Sequence, residues 1–263
     1  MLRLALTVLT LLIMTTLNSQ AALITRTIEY KLGETVLEGY LAYDSANISK
    51  ITLRPGILII HEWTGINDHI RQRAEMLAKL GYVAFAADIY GKGIRPATSA
   101  DAAKTAGVYK SDRPLMRTRV AAGLETLKAQ KLVDPQRISA IGYCFGGTTV
   151  LELARSGADI KGFVSFHGGL STPTPQDAKN VRGKVLVLHG ADDPFVKADE
   201  VAAFQSEMRT AGVDWQLVSY GNAVHSFTNR AAGTDNSKGA AYNEKADMRS
   251  WETMKLFLAE IFR

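Results

Sequence analysis

Gly142-Tyr143-Cys144-Phe145-Gly146-Gly147 is the stretch that decides the fold. It follows the apolar run Ile138-Ser139-Ala140-Ile141 and precedes Thr148-Thr149-Val150-Leu151-Glu152-Leu153-Ala154, which has helical character. A strand that turns sharply into a helix around a G-x-nucleophile-x-G core is a nucleophile elbow. The flanking glycines have a steric reason. The elbow residue sits in a strained backbone conformation, and its helix passes close to its strand, which leaves little room for Cβ atoms. The nucleophile here is cysteine, and Cys144 is the only cysteine in the chain.

Working outward, strand and helix signals alternate on both sides of the elbow. Ile24 to Lys31 and Val36 to Ala42 read as strands joined by a turn at Gly33. Gly56-Ile57-Leu58-Ile59-Ile60 is continuously apolar, as expected of a strand covered on both faces. A helix capped by Asn67 or Asp68 carries Ile70, Ala74, Leu77 and Ala78 on one face, and Gly81 stops it. Tyr82 to Ala87, Ile160 to Phe166, Lys184 to Leu188 and Trp215 to Ser219 supply further strands. Helices are expected over about 112–130, around Val201 to Ala211, and at the C-terminus around Trp251 to Ile261. Residues 91–112 are small, polar and weakly patterned, and read as a loop or short lid. The alternation implies a mostly parallel sheet with helices on both faces, an α/β class fold. No linker, repeat or low-complexity tract divides the 263 residues, so a single domain over 22–263 is expected.

The first residues read as a leader. Arg3 supplies a positive start, Leu4 to Leu17 are apolar, and Ser19-Gln20-Ala21 is a small-x-small cleavage pattern, with the cut placed after Ala21. The apolar run is shorter than the roughly 20 residues that span a bilayer. A signal peptide over 1–21 and a secreted or periplasmic mature chain are the expectation. In an oxidising compartment structural cysteines come in pairs, so a lone thiol is either inert and buried or kept for its reactivity. The net charge is +5, but the basic residues are scattered, which argues against a nucleic-acid partner. No histidine or carboxylate pair has metal-ligand spacing, and neither a metal nor a cofactor is expected.

A cysteine nucleophile needs a base, and the base an orienting carboxylate. In this type of fold they follow the nucleophile in the order acid, then histidine, at the ends of later strands. Two such loops are present: His189-Gly190-Ala191-Asp192-Asp193-Pro194 and Gly221-Asn222-Ala223-Val224-His225-Ser226-Phe227. They nominate Asp193 and His225, with Asp192 as the alternative acid. The oxyanion of an acyl-transfer intermediate needs donors. The Phe145 amide at the start of the elbow helix is the first candidate. The second is expected in the loop after Ile60, at Trp63. The other histidines, His61, His69, His167 and His189, carry no comparable signal, and a structural role is the reading for each.

These residues resemble the dienelactone hydrolase family of α/β-hydrolases. The resemblance covers nearly all of the chain past the leader. It includes Glu38-Gly39-Tyr40-Leu41-Ala42, the Glu62 loop, Leu77 to Gly91, the Gly-x-Cys-x-Gly-Gly elbow, the loop holding Asp193, and His225-Ser226-Phe227. It implies an α/β-hydrolase fold with a Cys144-Asp193-His225 triad that cleaves an ester or lactone through an acyl-thioester. It further implies that Glu62 contacts the resting thiol until substrate displaces it. The family's founding enzymes hold the substrate carboxylate with two arginines, one of them four residues after the histidine. That place is Asn229 here, with Arg230 one step on as the candidate substrate contact. The implied partner is a small-molecule ester or lactone. A monomer is expected, with no membrane anchor after leader removal. Two other readings keep the fold: a thioesterase or acyltransferase using the same site, and a non-catalytic, redox-sensing binding protein.

Overall fold

A computed structural model describes residues 22–45 and 53–263. The leader read at 1–21 lies outside the described residues. An antiparallel hairpin opens the chain, β1 (Leu23–Leu32) and β2 (Thr35–Asp44), turned at Gly33 with φ +55°. Then follow β3 (Arg54–Ile60), α1 (Asp68–Lys79), β4 (Val83–Ala87), α2 (Ser99–Ser111), α3 (Arg113–Lys128), β5 (Val133–Tyr143) and α4 (Phe145–Arg155). The second half runs β6 (Gly162–Phe166), β7 (Lys184–Gly190), α5 (Ala198–Thr210), β8 (Trp215–Tyr220) and α6 (Glu244–Ile261). The eight strands form one sheet in the order β1-β2-β4-β3-β5-β6-β7-β8. β2 runs antiparallel to β1 and β4, and from β4 to β8 every neighbour is parallel.

Successive strand residues point to opposite faces, and here both faces are covered. Leu58 and Ile60 of β3 join Phe85, Ala140, Phe163 and Val187 on one face, beneath Met116, Val120 and Leu124 of α3. Ile57 and Ile59 join Ala84, Ile141, Val164 and Leu186 on the other, beneath Ile70, Ala74 and Leu77 of α1 and Met254 and Leu258 of α6. That double burial is why the strands read as unbroken apolar runs. The sheet and its flanking helices have the α/β class fold that the strand and helix pattern implies and the α/β-hydrolase architecture that the family resemblance implies.

One segment differs from expectation. The supposed loop at 91–112 contains the thirteen-residue helix α2. Thr98 caps it by accepting from the Asp101 amide at 3.1 Å. Its buried face is only Ala102, Ala106 and Tyr109, too small to register as an apolar stripe. Tyr109 anchors it, donating to the Tyr90 carbonyl at 3.0 Å and stacking on the Tyr90 ring.

The elbow helix α4 buries all eleven residues. Its C-terminal end is tied by Arg155, whose guanidinium reaches Glu207 of α5 at 2.7 and 2.8 Å, Glu152 at 3.1 Å and the Leu170 carbonyl at 2.8 Å. Arg117 of α3 extends the network to Glu152 and Asp177. At its N-terminal end the helix lies against β3 with no room to spare. A Cβ on Gly146 would fall 2.2 Å from the Ile60 carbonyl oxygen, and one on Gly142 would fall 2.1 Å from the Gly146 carbonyl oxygen. Both obstacles are backbone, which cannot turn aside.

Two glycine-to-alanine changes should therefore act with opposite sign. Gly146→Ala is expected to cost about 3 kcal/mol through overpacking. Gly107→Ala, in the interior of α2 with open space at its Cβ, is expected to gain about 0.5–1 kcal/mol. Urea unfolding midpoints of the two variants check both signs.

Candidate active site

Cys144 sits between β5 and α4 with φ +54° and ψ −115°, a left-handed conformation costly for any residue with a side chain. The surroundings hold it there. Its N–H lies 3.0 Å from the Phe166 carbonyl and 3.2 Å from His167 Nδ1. Its own carbonyl accepts from Gly147 and Thr148. The reward for this strain is a half-buried thiol at the N-terminal end of a helix, at the carboxyl edge of the sheet.

The two later loops converge on that sulfur. Beyond β7, the Asp193 amide turns back to Gly190, and its carboxylate Oδ1 accepts from the Phe195 amide at 2.8 Å. Oδ2 accepts from His225 Nδ1 at 2.7 Å. Beyond β8, His225 is clamped by its own backbone, donating to Gly239 and accepting from Ala241. Its Nε2 stands 3.0 Å from Cys144 Sγ. Asp192, the alternative acid, is exposed, and its amide bonds the Ala223 carbonyl. Of the two adjacent acids, Asp193 is the one brought to the histidine. Burial alone would lower the His225 pKa, but the neighbouring sulfur and the Asp193 carboxylate outweigh it and raise it to about 10.

The loop after β3 follows the strand that pairs with β5. In register, Ile60 lies opposite Gly142, so Trp63 and Phe145 each stand three residues past a matched pair. Neither Trp63 N–H nor Phe145 N–H has an acceptor among the described residues. His61 sets the first of these amides. Its Nε2 accepts from the Ile89 amide at 3.2 Å, which assigns the proton to Nδ1, and Nδ1 donates to the Glu62 carbonyl at 2.6 Å. A planar trans peptide points its N–H opposite to its carbonyl. The Glu62 carbonyl, held by His61 and also by the Gly65 amide at 3.1 Å, therefore turns the Trp63 N–H away from the imidazole. The Tyr90 hydroxyl secures the next carbonyl, that of Trp63, at 2.9 Å. Burial drives the His61 pKa down to about 4, so the ring stays neutral and keeps one donor and one acceptor.

His167 is the second histidine that sequence reasoning set aside. It is fully buried, has φ +40°, and uses Nδ1 as acceptor for Cys144 N–H while Nε2 donates to Thr228 Oγ1 at 2.8 Å. Burial holds it well below its ordinary pKa, in this single neutral tautomer. His69, on α1, is half-buried and edge-on to Tyr143 at 5.3 Å. A signal for His61 and His167 does exist in the chain: both directly follow a buried strand, at the sheet edge where the thiol stands.

Glu62 is buried, and its Oε2 accepts from Asn229 Nδ2 at 2.6 Å. Burial pushes its carboxyl pKa up, against the opposing pull of Asn229, His225, Asn67 and Arg73. The hydrogen bond at Sγ is to His225, so Glu62 is docked on Asn229 rather than on the thiol. Arg230, the candidate substrate contact, has its guanidinium 5.1 Å from the Tyr242 ring centre. No group of three or more His, Cys, Asp or Glu side chains among the described residues could hold a metal.

An eight-stranded sheet of this order, with a strained cysteine at the β5–α4 turn and an acid and a histidine past β7 and β8, has the α/β-hydrolase architecture. The dienelactone hydrolase family profile matches residues 37–262. The chain belongs to the dienelactone hydrolase family, and it is a hydrolase of the carboxylic ester or lactone type. Among solved structures, one titled m3DLH is 43% identical, with 92% of this chain and all of that one covered and a TM-score of 0.87. The dienelactone hydrolase-like promiscuous phosphotriesterase P91 from metagenomic libraries is 41% identical at the same coverage, with a TM-score of 0.86. The Caenorhabditis elegans protein K02A2.1 is 36% identical over 152 residues, 56% of this chain and 94% of that protein.

If His61 aims the Trp63 amide, its loss should be felt in turnover. His61→Leu is expected to lower kcat on the order of 10²-fold with KM little changed. His61→Asn, whose side-chain amide can stand in for Nδ1–H, should recover most of it. Steady-state kinetics on 4-nitrophenyl esters decide this, and equal losses in the two variants would reduce His61 to a packing residue.

Proposed function

We propose that this chain hydrolyses small carboxylic esters and lactones through a covalent acyl-thioester on Cys144. The observation that carries the reading is the line Asp193–His225–Cys144, with 2.7 and 3.0 Å contacts, ending on a strained elbow beside two unpartnered amides. His225 takes the thiol proton, and the sulfur attacks the substrate carbonyl carbon. Negative charge collects on the carbonyl oxygen, where the Phe145 and Trp63 amides receive it. The C–O bond to the alcohol breaks as His225 returns the proton to the leaving oxygen, leaving Cys144 acylated. In the second half, His225 removes a proton from water, whose oxygen attacks the thioester carbonyl. The carbonyl–sulfur bond breaks, the acid departs, and the thiol is regenerated. Asp193 holds the imidazole in the tautomer that both halves need.

Wild-type protein should cleave 4-nitrophenyl acetate and simple lactones, and Cys144→Ala should fall to background. Mass spectrometry of His225→Ala should reveal an ester-derived acyl group on Cys144. Wild-type activity no better than that of Cys144→Ala would overturn the proposal. Added alcohols or amines separate hydrolysis from acyl transfer by their products. A neutral phosphotriester belongs in the same panel, given the name phosphotriesterase borne by the 41%-identical relative.

We also propose that residues 1–21 direct export, on the strength of Arg3, the apolar run and the Ser19-Gln20-Ala21 pattern. Intact-mass analysis of the protein recovered from a periplasmic extract should begin at Ala22. A full-length chain retained in the cytoplasm would refute this.

A further inference from the structure

Beside His225 the surface opens into a groove for which the triad itself has no use. We propose that this groove receives the alcohol part of the substrate, and that the preferred esters carry an unbranched alkyl chain on the alcohol oxygen and a short acyl group. This rests on the proposed ester chemistry.

The groove begins at Phe195. Its ring is 61% exposed and stands edge-on to the His225 ring at 5.5 Å. The ring is seated on the loop that clamps the base. A Cβ on Gly239 would fall 3.1 Å from Phe195 Cζ, and the Gly239 carbonyl is the one that accepts from the His225 amide. Phe195 also lines a cavity of about 440 Å3, together with Leu170, Pro175, Ala203 and Phe204. A second cavity, of about 640 Å3, continues from it between α5 and the 3-10 helix Pro175–Asn180, as far as Ala211. The two share Pro175, Ala203 and Glu207. Leu170 and Phe204 are buried, while Phe195, Pro175 and Ala203 are exposed. An aromatic ring left in water beside a buried apolar floor gives an alkyl chain a surface to cover.

The carboxylates along the groove are engaged. Glu200 accepts from the Leu170 amide at 2.5 Å and the Ser171 amide at 3.0 Å, and Glu207 is paired with Arg155. Asp199 accepts from the Glu200 amide at 2.9 Å and, with Lys197, is exposed at the head of α5. The walls are fixed as well. Glu207 ties α5 to Arg155 of α4, and Asp177 ties the 3-10 helix to Arg117, which reaches Glu152 of α4. Both walls are thus braced to the helix that follows the thiol. A groove formed in advance asks little ordering of the chain that fills it.

The chemistry decides which part of an ester enters. In the tetrahedral adduct on Cys144, the sulfur, the oxyanion, the acyl group and the alcohol oxygen point in four directions. The alcohol oxygen must lie within hydrogen-bond reach of His225 Nε2, since that nitrogen returns its proton. β3, whose loop carries the Trp63 amide, lies on one side of β5, and β7 and β8 lie on the other. The alcohol oxygen is therefore turned toward His225 and Phe195, and the chain behind it toward the groove.

The test compares two isomers, hexyl acetate and ethyl hexanoate, which differ only in the side of the ester that carries the chain. Rates come from pH-stat titration of the released acid, each corrected for the rate seen with Cys144→Ala. The wild type should favour hexyl acetate about tenfold or more in kcat/KM, a factor that partial burial of four methylenes can supply. Ala203→Phe, at an exposed position where the two cavities meet, should remove most of that preference, chiefly by raising KM for hexyl acetate. Equal wild-type rates, or faster turnover of ethyl hexanoate, overturn this proposal. A preference for hexyl acetate that Ala203→Phe leaves untouched overturns it too. In each case turnover of 4-nitrophenyl acetate leaves the hydrolytic reading intact, whereas no ester cleaved above the Cys144→Ala rate overturns both. The wild-type comparison decides the matter even if Ala203→Phe fails to fold.

Discussion

The close approach of α4 to β3, with Gly146 pressed on the Ile60 carbonyl, is the constraint from which the site follows. With no Cβ at Gly142 or Gly146, the chain can reverse from strand to helix within a residue or two. The residue at the corner absorbs the turn in its own backbone, and Cys144 therefore adopts φ +54°. The same closeness sets the start of α4 beside the start of the loop after β3, so that the Phe145 and Trp63 amides each follow a matched strand pair by three residues. Far from the chemistry, the buried Arg155 network braces the other end of the helix. A helix free to slide along its axis could not hold the corner in strain.

Much of this was legible in the chain. Double-sided apolar runs announced the parallel strands, because a strand covered on both faces has no polar alternation to show. Cys144, Asp193 and His225 could be nominated because the proposed roles require particular residue types in a particular order after particular strands, and the fold sets the three side chains in line. Helix α2 was not, since its packing face is two alanines and Tyr109, which differ little from a loop in hydropathy. The docking of Glu62 on Asn229 was not legible either. It joins residues 167 positions apart, and nothing local to either one records it.

The histidines show a second limit. His61 and His167 looked like core residues and are indeed buried, but each fixes a peptide group of the site through one ring nitrogen. Their place at the ends of buried strands is legible, but their part in the site is not, because what matters is the direction of a carbonyl or an amide, and every residue has both. Only the fold shows that the Glu62 carbonyl and the Cys144 N–H are the ones these rings hold. Their neutrality, a result of burial, preserves the one-donor, one-acceptor pattern that this alignment needs.

In the reaction we propose, both groups that would face the developing oxyanion belong to the main chain, and this separates two properties that side-chain donors would bind together. Replacing Trp63 or Phe145 reshapes the wall or the floor of the site while leaving an amide in place, provided the backbone keeps its course. Such a site can drift among acyl and alcohol groups over evolutionary time without passing through an inactive ancestor. The histidines that steer the backbone, and not the residues that own the amides, are then the positions least free to change.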